Sequence, residues 1–349
     1  MKHRKVLFRV DGSQDIGMGH VMRCLTLAHE ISRRAPIEPI FVMREFQHGV
    51  EWARRQGVAV VTLEAKASPS EEVSFLLRVI EQERAEAVIT DLRKLTPGLP
   101  VAVRERGLLC ITIDEWGGER ISSDLLINGT VVPSWHRYEL QGEVHCCVGP
   151  GYALMDESFA QVHDLERSVG EGTRILIALG GDDPFFLTRK ALNALERVER
   201  PLSGTVVIGP AFTDGNQIRQ MAAQCRHRWE ILENISDMAR RMWEADVAIT
   251  GGGLIALELA CTGTPGLILS EVEHQLETAE ALERHGVAIH LGLGTTLSDQ
   301  ELARKAADLI EDRARRATMQ QAGKELVDGK GCQRVAELIL DRLSLKVPA

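Results

Sequence analysis

The sequence predicts an α/β protein built from two doubly wound, Rossmann-type domains facing an interdomain cleft, residues 1–160 and 161–349. Three observations predict it. Short apolar runs alternate with segments of helical spacing, as in a parallel sheet covered on both faces. The whole pattern restarts near residue 174. Glycine-rich turns stand where strands should give way to helices. A chain of 349 residues is also too long for one ordinary core and suits two.

In the first half, Lys5–Val10 reads as a strand ending in the turn Asp11-Gly12-Ser13. Further strands are expected at Ile37–Met43, Val58–Leu63, Ala87–Thr90, Leu108–Ile113 and Leu125–Ile127. Helical spacing marks Val21–Arg33, Val50–Gln56 and Glu71–Glu83 between them. A polar stretch, Val162–Gly172, then separates the halves.

The second half opens with a strand at Arg174–Leu179, the turn Gly180-Gly181-Asp182-Asp183-Pro184 and a helix over Phe185–Arg197. Strands follow at Thr205–Ile208, Glu230–Leu232, Val247–Thr250, Gly266–Leu269 and Ala288–Leu291, with helices between them, notably Ser236–Trp243 and Leu254–Cys261. Three amphipathic segments, Asp299–Glu311, Arg315–Val327 and Gln333–Leu343, close the chain. Ligands of such sheets bind at the carboxyl ends of the strands, which places the expected site in the cleft.

Composition excludes several classes. The formal charge of −9 argues against a sequence-independent nucleic-acid binder, which needs a basic face. No stretch approaches the roughly 18 apolar residues of a membrane span. The basic N-terminus, Met1-Lys2-His3-Arg4-Lys5, is followed only by Val6-Leu7-Phe8 before Arg9, too short for a signal peptide; a cytoplasmic protein is expected. Seven cysteines without a C-x-x-C read as scattered reduced thiols, mostly buried, and no metal or other cofactor is expected.

Glycines at a strand-to-helix turn let the backbone approach a ligand and leave the helix's first N–H groups free for an anion. Gly17-Met18-Gly19-His20, Gly180-Gly181-Asp182-Asp183 and Gly251-Gly252-Gly253 all fit, and together they point to a phosphate or diphosphate. Neither a dinucleotide fingerprint nor a Walker lysine is present. His20, directly behind Gly19 at a helix start, is the candidate general base. The helix N-terminus favours its neutral form and a bound diphosphate would oppose that, so the sign of its pKa shift stays open. Arg23, three residues on, either meets phosphate or lies along the surface. Glu258 sits alone in the apolar run Leu254–Cys261 and needs a partner, either a ribose diol or a salt bridge to a neighbouring helix. His274-Gln275 reads as a polar pair following a strand, facing a sugar.

Taken together, these segments resemble the UDP-sugar hydrolase family of pseudaminic acid biosynthesis, which acts on UDP-2,4-diacetamido-2,4,6-trideoxy-β-L-altropyranose and is itself similar to the MurG-type glycosyltransferases of the GT-B fold. The resemblance rests on Arg9-Val-Asp-Gly-Ser13, Ile16-Gly-Met-Gly-His-Val-Met-Arg-Cys-Leu-Thr-Leu-Ala28, Gly149-Pro-Gly-Tyr-Ala-Leu-Met155 and Leu179-Gly-Gly-Asp-Asp-Pro184. It continues through Ile235-Ser-Asp-Met238, Ala245-Asp-Val-Ala-Ile-Thr-Gly-Gly-Gly253, Glu258-Leu-Ala and Val327-Asp-Gly-Lys-Gly331, nearly the whole chain.

The resemblance implies a GT-B-like fold with a sugar-handling, catalytic first domain and a UDP-binding second one. It implies that His20 assists water in attacking the anomeric carbon, that Glu258 holds the ribose hydroxyls, that backbone at Ile235 reads uracil, and that Gly181, Gly252 and Gly253 lie at the diphosphate. The substrate-binding set expected is Asp11, Gly17, Gly19, Arg23, Asp91, Gly181, Ile235, Gly252, Gly253, Glu258, His274 and Gln275. Where the family has Asp-His-Tyr this chain reads Asp91-Leu92-Arg93, and Asp114-Glu115 and His274-Gln275 also depart from its pattern. Those changes bear on the sugar more than on the nucleotide. The expected activity is hydrolysis of a UDP-linked amino or deoxy sugar, releasing UDP and free sugar. The alternatives are transfer of the same kind of sugar to an acceptor hydroxyl, or a non-catalytic nucleotide-sugar-binding module.

Overall fold

The computed structural model describes residues 3–13, 16–233 and 235–345. From the N-terminus the chain runs β1 (Arg4–Val10), α1 (Gly19–Arg34), β2 (Ile37–Arg44), α2 (Gln47–Arg55), β3 (Ala59–Leu63), α3 (Pro69–Glu83) and β4 (Ala87–Asp91). It continues with α4 (Leu99–Arg104), β5 (Leu109–Ile113), β6 (Arg120–Ile121), β7 (Leu125–Asn128), β8 (Glu139–Leu140) and β9 (His145–Val148). Seven strands form one parallel sheet in the order β3-β2-β1-β4-β5-β7-β9, and β6 pairs with β8 beside it.

Side chains alternate across β1. Val6, Phe8 and Val10 enter the core beneath α1, whereas Leu7 packs with Leu76 and Val79 of α3 on the other face. Arg9 shares the Leu7 face, and so meets Glu72 of α3. The start of α3 lies earlier than the apolar spacing predicts, because Ser68 and Glu71 form a reciprocal capping box ahead of Pro69.

A second unit holds α5 (Glu157–His163), β10 (Arg174–Ala178), α6 (Leu187–Leu195), β11 (Ser203–Ile208), α7 (Gly215–Gln224), β12 (Arg228–Glu233) and α8 (Met238–Glu244). Then come β13 (Val247–Thr250), α9 (Leu254–Thr262), β14 (Gly266–Ser270), α10 (Glu273–Arg284), β15 (Ala288–Leu293), α11 (Asp299–Glu311) and α12 (Arg313–Leu326). Its sheet has six parallel strands in the order β12-β11-β10-β13-β14-β15.

The final helix, α13 (Gly331–Leu345), does not stay with the second unit. One unit comprises the chain up to Met155 together with everything from Lys330 onward, and the other is Asp156–Gly329. This corrects the expected boundary. Cys332, Val335, Ala336, Ile339 and Leu343 make one helical stripe that fills the core of the first unit beside α1. Arg34 pairs with Glu337 at 2.7 Å, and Arg334 donates to the Gly151 carbonyl at 2.8 Å. Residues 157–163, expected partly as polar linker, are helical because Phe159, Ala160 and Val162 are buried and Asp156 caps the first turn.

Each sheet reverses its strand order once, between β1 and β4 in the first unit and between β10 and β13 in the second. Segments leaving the carboxyl ends of those paired strands diverge to opposite faces and open a crevice. Gly17–His20 and Asp91 stand at the first of these points; Gly180-Gly181 and Gly251–Gly253 stand at the second. Five of the seven cysteines are buried.

Candidate functional site

In the first unit the chain leaves β1 through Asp11-Gly12-Ser13 and returns at Ile16; Gln14 and Asp15 lie outside the described residues. Gly17 donates its N–H to the Ser13 carbonyl at 2.8 Å and holds φ at 85°, a left-handed conformation that favours glycine. Gly19 opens α1, and space around it is open where a side chain would stand. Among the described residues no side chain caps this helix.

His20 and Asp91 are brought together by the pairing of β1 with β4, in which Val10 stands opposite Asp91. The His20 Nδ1 lies 2.6 Å from Asp91 Oδ1, and Asp91 is fully buried. Burial would lift the Asp91 carboxyl, but Arg23 and His20 beside it hold it far below the usual carboxylate range. An ionised carboxylate can only accept, so Nδ1, which also has Arg23 Nη2 at 3.0 Å, carries a proton toward Asp91, and in the neutral ring the lone pair is on Nε2. Burial pulls the imidazole pKa down, yet the Asp91 charge and hydrogen bond outweigh it, and His20 ends above its ordinary value. The carboxylate, absent from the local sequence argument, thus decides the sign.

Arg23 is buried rather than lying along the surface. Its Nε and Nη2 each donate to Asp91 at 2.5 Å, and its Nη1 pairs with Glu115. Burial weighs against its charge, but the two carboxylates keep the guanidinium firmly protonated. Arg23 therefore fixes Asp91 from the same helix that carries His20. Asp11 is likewise engaged: its carboxylate accepts from Arg9 Nη2 at 2.8 Å and from the Arg44 N–H at 2.7 Å. Asp114 organises the loop after β5, accepting from the Trp116 and Gly117 N–H groups and from the Tyr138 hydroxyl.

In the second unit Gly180 holds φ at 138°, and Gly181 and Gly253 are exposed with open space beside them. Gly252 differs, because a Cβ there would lie 2.8 Å from that of Gln275. The reason is a clasp: Gln275 Oε1 accepts from the Gly252 N–H at 3.2 Å and the Glu271 N–H at 2.8 Å. Gln275 thus joins two loops, and only its amide nitrogen stays available to a ligand. His274 and Gln275 lie in the first turn of α10, a helix the sequence pattern did not bound, and His274 is exposed. Ile235 is half-buried between β12 and α8.

Glu258 projects from α9 and is half-buried. Among the described residues it has no ion-pair or hydrogen-bond partner, contrary to the salt-bridge alternative. Burial and the nearby Asp156 push its carboxyl up to about 7. Glu271, at the end of β14, is a residue the sequence reading missed. Burial, with Asp183 and Asp182 nearby, raises it to about 8, and its Oε1 has no partner. The buried hydroxyls of Thr250 and Ser270, on the ends of adjacent strands, also lack partners. A carboxylate one residue past a strand end was the available signal.

Among the described residues no group of three or more His, Cys, Asp and Glu is placed to hold a metal ion, and no helix is long and apolar enough to cross a membrane.

No family model matches the chain. The spore coat polysaccharide biosynthesis protein SpsG of Bacillus subtilis is 29% identical over 95% of this chain and 96% of its own length. A UDP-N-acetylglucosamine–N-acetylmuramyl-(pentapeptide) pyrophosphoryl-undecaprenol N-acetylglucosamine transferase of Methylibium petroleiphilum is 34% identical over 43% of this chain and 41% of its own. Among solved structures, MurG of Acinetobacter baumannii superposes with a TM-score of 0.72 at 16% identity, covering 97% of this chain and 100% of that one. The fold is GT-B, two Rossmann-like parallel sheets flanked by helices.

Proposed function

We propose that the chain is an enzyme of polysaccharide biosynthesis that displaces UDP from the anomeric carbon of a UDP-linked sugar. The observation that carries this is the buried Asp91–His20 pair at the first strand-order reversal, with Nδ1 tied down and Nε2 presented as a base. His20 Nε2 takes the proton of a hydroxyl as that oxygen bonds to the anomeric carbon. The bond from that carbon to the β-phosphate oxygen breaks, and its electron pair leaves with UDP. Asp91 keeps the imidazole oriented and stabilises the imidazolium formed; Arg23 keeps Asp91 ionised.

In the second unit, Gly181, Gly252 and Gly253 receive the diphosphate, the backbone at Ile235 meets uracil, and Glu258 accepts from the ribose hydroxyls. A carboxylate with no partner among the described residues, in an apolar helix, suits a vicinal diol, which offers two donors.

Two relatives bear on the nucleophile. The names of SpsG and of the Methylibium transferase, together with the GT-B fold, favour transfer to an acceptor hydroxyl. The Gly17-Met18-Gly19-His20-Val21-Met22-Arg23 motif favours water, giving hydrolysis to free sugar. A panel of UDP-sugars, incubated with and without sugar acceptors and followed by NMR, separates them. UDP release that depends on acceptor selects transfer; free sugar without acceptor selects hydrolysis; neither, with UDP-sugar bound, leaves a binding module.

A further inference from the structure

The turn that follows Asp91 carries a second feature. Leu92, Arg93 and Lys94 border a cavity of about 130 Å³ in the first unit, whose opposite wall is Arg9, Asp11, Arg44 and Glu72. At about 30 Å³ per water it has room for roughly four waters. Its floor is internally neutral. Arg9 bonds Asp11 at 2.8 Å and Glu72 at 2.7 Å, while Arg44 bonds the second Glu72 oxygen at 2.5 Å. Both carboxylates are buried and spent on these arginines.

The mouth is not neutral. Arg93 and Lys94 are exposed and form no ion pair or hydrogen bond among the described residues. Among the described lining residues four cations therefore face two carboxylates, and the two left over, Arg93 and Lys94, are exposed at the cavity's open side. Standing in the bend just past β4, such a pair matches an anion better than a hydroxyl, because charge-assisted bonds are the strong ones.

We propose that this cavity is an anion subsite that takes a phosphate or carboxylate group carried by the sugar or by its acceptor, gripped by Arg93 and Lys94. Which molecule brings the anion rests on the nucleotide-sugar reading; the site itself does not. The neutral floor sets the depth, and the two free cations select charge. Arg93 lies two residues past Asp91, beyond the carboxyl end of β4, while the floor at Arg9 and Glu72 lies on the α3 face of the sheet.

The test is a titration of the full-length protein with inorganic phosphate, followed by 31P NMR and calorimetry, with and without saturating UDP. UDP removes any phosphate binding at the glycine turns of the second unit. Wild type should bind phosphate saturably, and Arg93→Gln/Lys94→Gln should weaken it roughly tenfold. Arg304→Gln/Lys305→Gln, on α11, removes equal charge elsewhere and should match wild type. Equal phosphate affinity in wild type and the Arg93/Lys94 variant would overturn the subsite. UDP-glucuronate and UDP-glucose then separate the sources. A preference for the uronate that vanishes in the variant assigns the anion to the donor sugar; phosphate that still binds alongside UDP-glucuronate assigns it to the acceptor. Failure of UDP to bind at all sinks the nucleotide-sugar reading while the phosphate arm still decides the cavity.

Discussion

At the scale of single residues, the decisive contact is the one between His20 and Asp91. His20→Ala should reduce kcat by roughly 10²–10⁴-fold while UDP affinity stays within about twofold, since a positioned base acts on the chemical step. Near-normal kcat in the folded variant removes the base assignment. The pH profile tests the partner. The Asp91 charge raises the His20 pKa, and the imidazolium cannot accept a proton, so kcat/KM should fall as pH drops through a value above the ordinary 6.5. Asp91→Asn leaves burial as the main influence, so that acid limb should move to lower pH, with kcat reduced throughout. The same variant leaves Arg23 without its main counter-charge and should cost about 3–5 kcal/mol in denaturant unfolding. A limb that stays in place would show that Asp91 serves only the fold. Each residue of this pair is visible in the sequence, but they are 71 positions apart, and only strand adjacency joins them. Arg23 was legible as a charged residue on the right helix face. Its burial depended on Glu115 from another strand end, which no local pattern announces.

At the scale of elements, the core strands were legible because they are continuous apolar runs, as buried parallel strands must be. The helices α7 and α10 were expected only in general, between strands and without bounds. Only Ile218 and Ala222 are buried in α7, and α10 buries only Thr278, Ala279, Ala281 and Leu282, so neither carries a strong apolar stripe. That omission also misplaced His274 and Gln275, which begin a helix and clasp two loops. By contrast α9 is apolar nearly all round, and its single carboxylate stood out. The Glu258 carboxyl is raised from 4.5 to about 7, so folding favours its protonated form, and the stability this group allows is lost as pH rises through about 7. Ribose donors need the ionised form. UDP affinity should therefore strengthen between pH 6 and pH 8, and Glu258→Gln should flatten that dependence. Removal of a charged acceptor should weaken UDP by roughly 10- to 150-fold, with a smaller effect on kcat. Calorimetry with UDP and 2′-deoxy-UDP checks it: equal binding of the two by wild type would separate Glu258 from the ribose. The glycine turns and helix N-termini are expected to neutralise the diphosphate without a cation. Turnover should then survive excess EDTA, and loss restored by Mg²⁺ or Mn²⁺ would contradict this.

At the scale of the whole molecule, the two-unit plan follows from the restart of the strand–helix pattern, but the path of the chain's end does not. Amphipathicity predicts that α13 must bury one face and is silent about which sheet receives it. The structure gives that face to the first unit, where Val335, Ala336 and Ile339 are fully buried beside α1. The helix that starts with Gly19-His20 is thus supported from behind by residues more than 300 positions later. Ile339→Ala should cost about 2–5 kcal/mol, the range for a large aliphatic truncated in a packed core. Because that loss falls on the unit carrying His20, it should appear as lower kcat and increased hydrogen exchange in α1. UDP affinity, assigned to Asp156–Gly329, should remain within about twofold of wild type at temperatures where the variant is folded. Hydrogen exchange with mass spectrometry and UDP calorimetry on the same sample separate the possibilities. Protection lost first in α9 and α12, with UDP binding weakened and α1 unchanged, would mean that the last helix serves the nucleotide unit and that the division of the chain lies where the sequence pattern alone would put it.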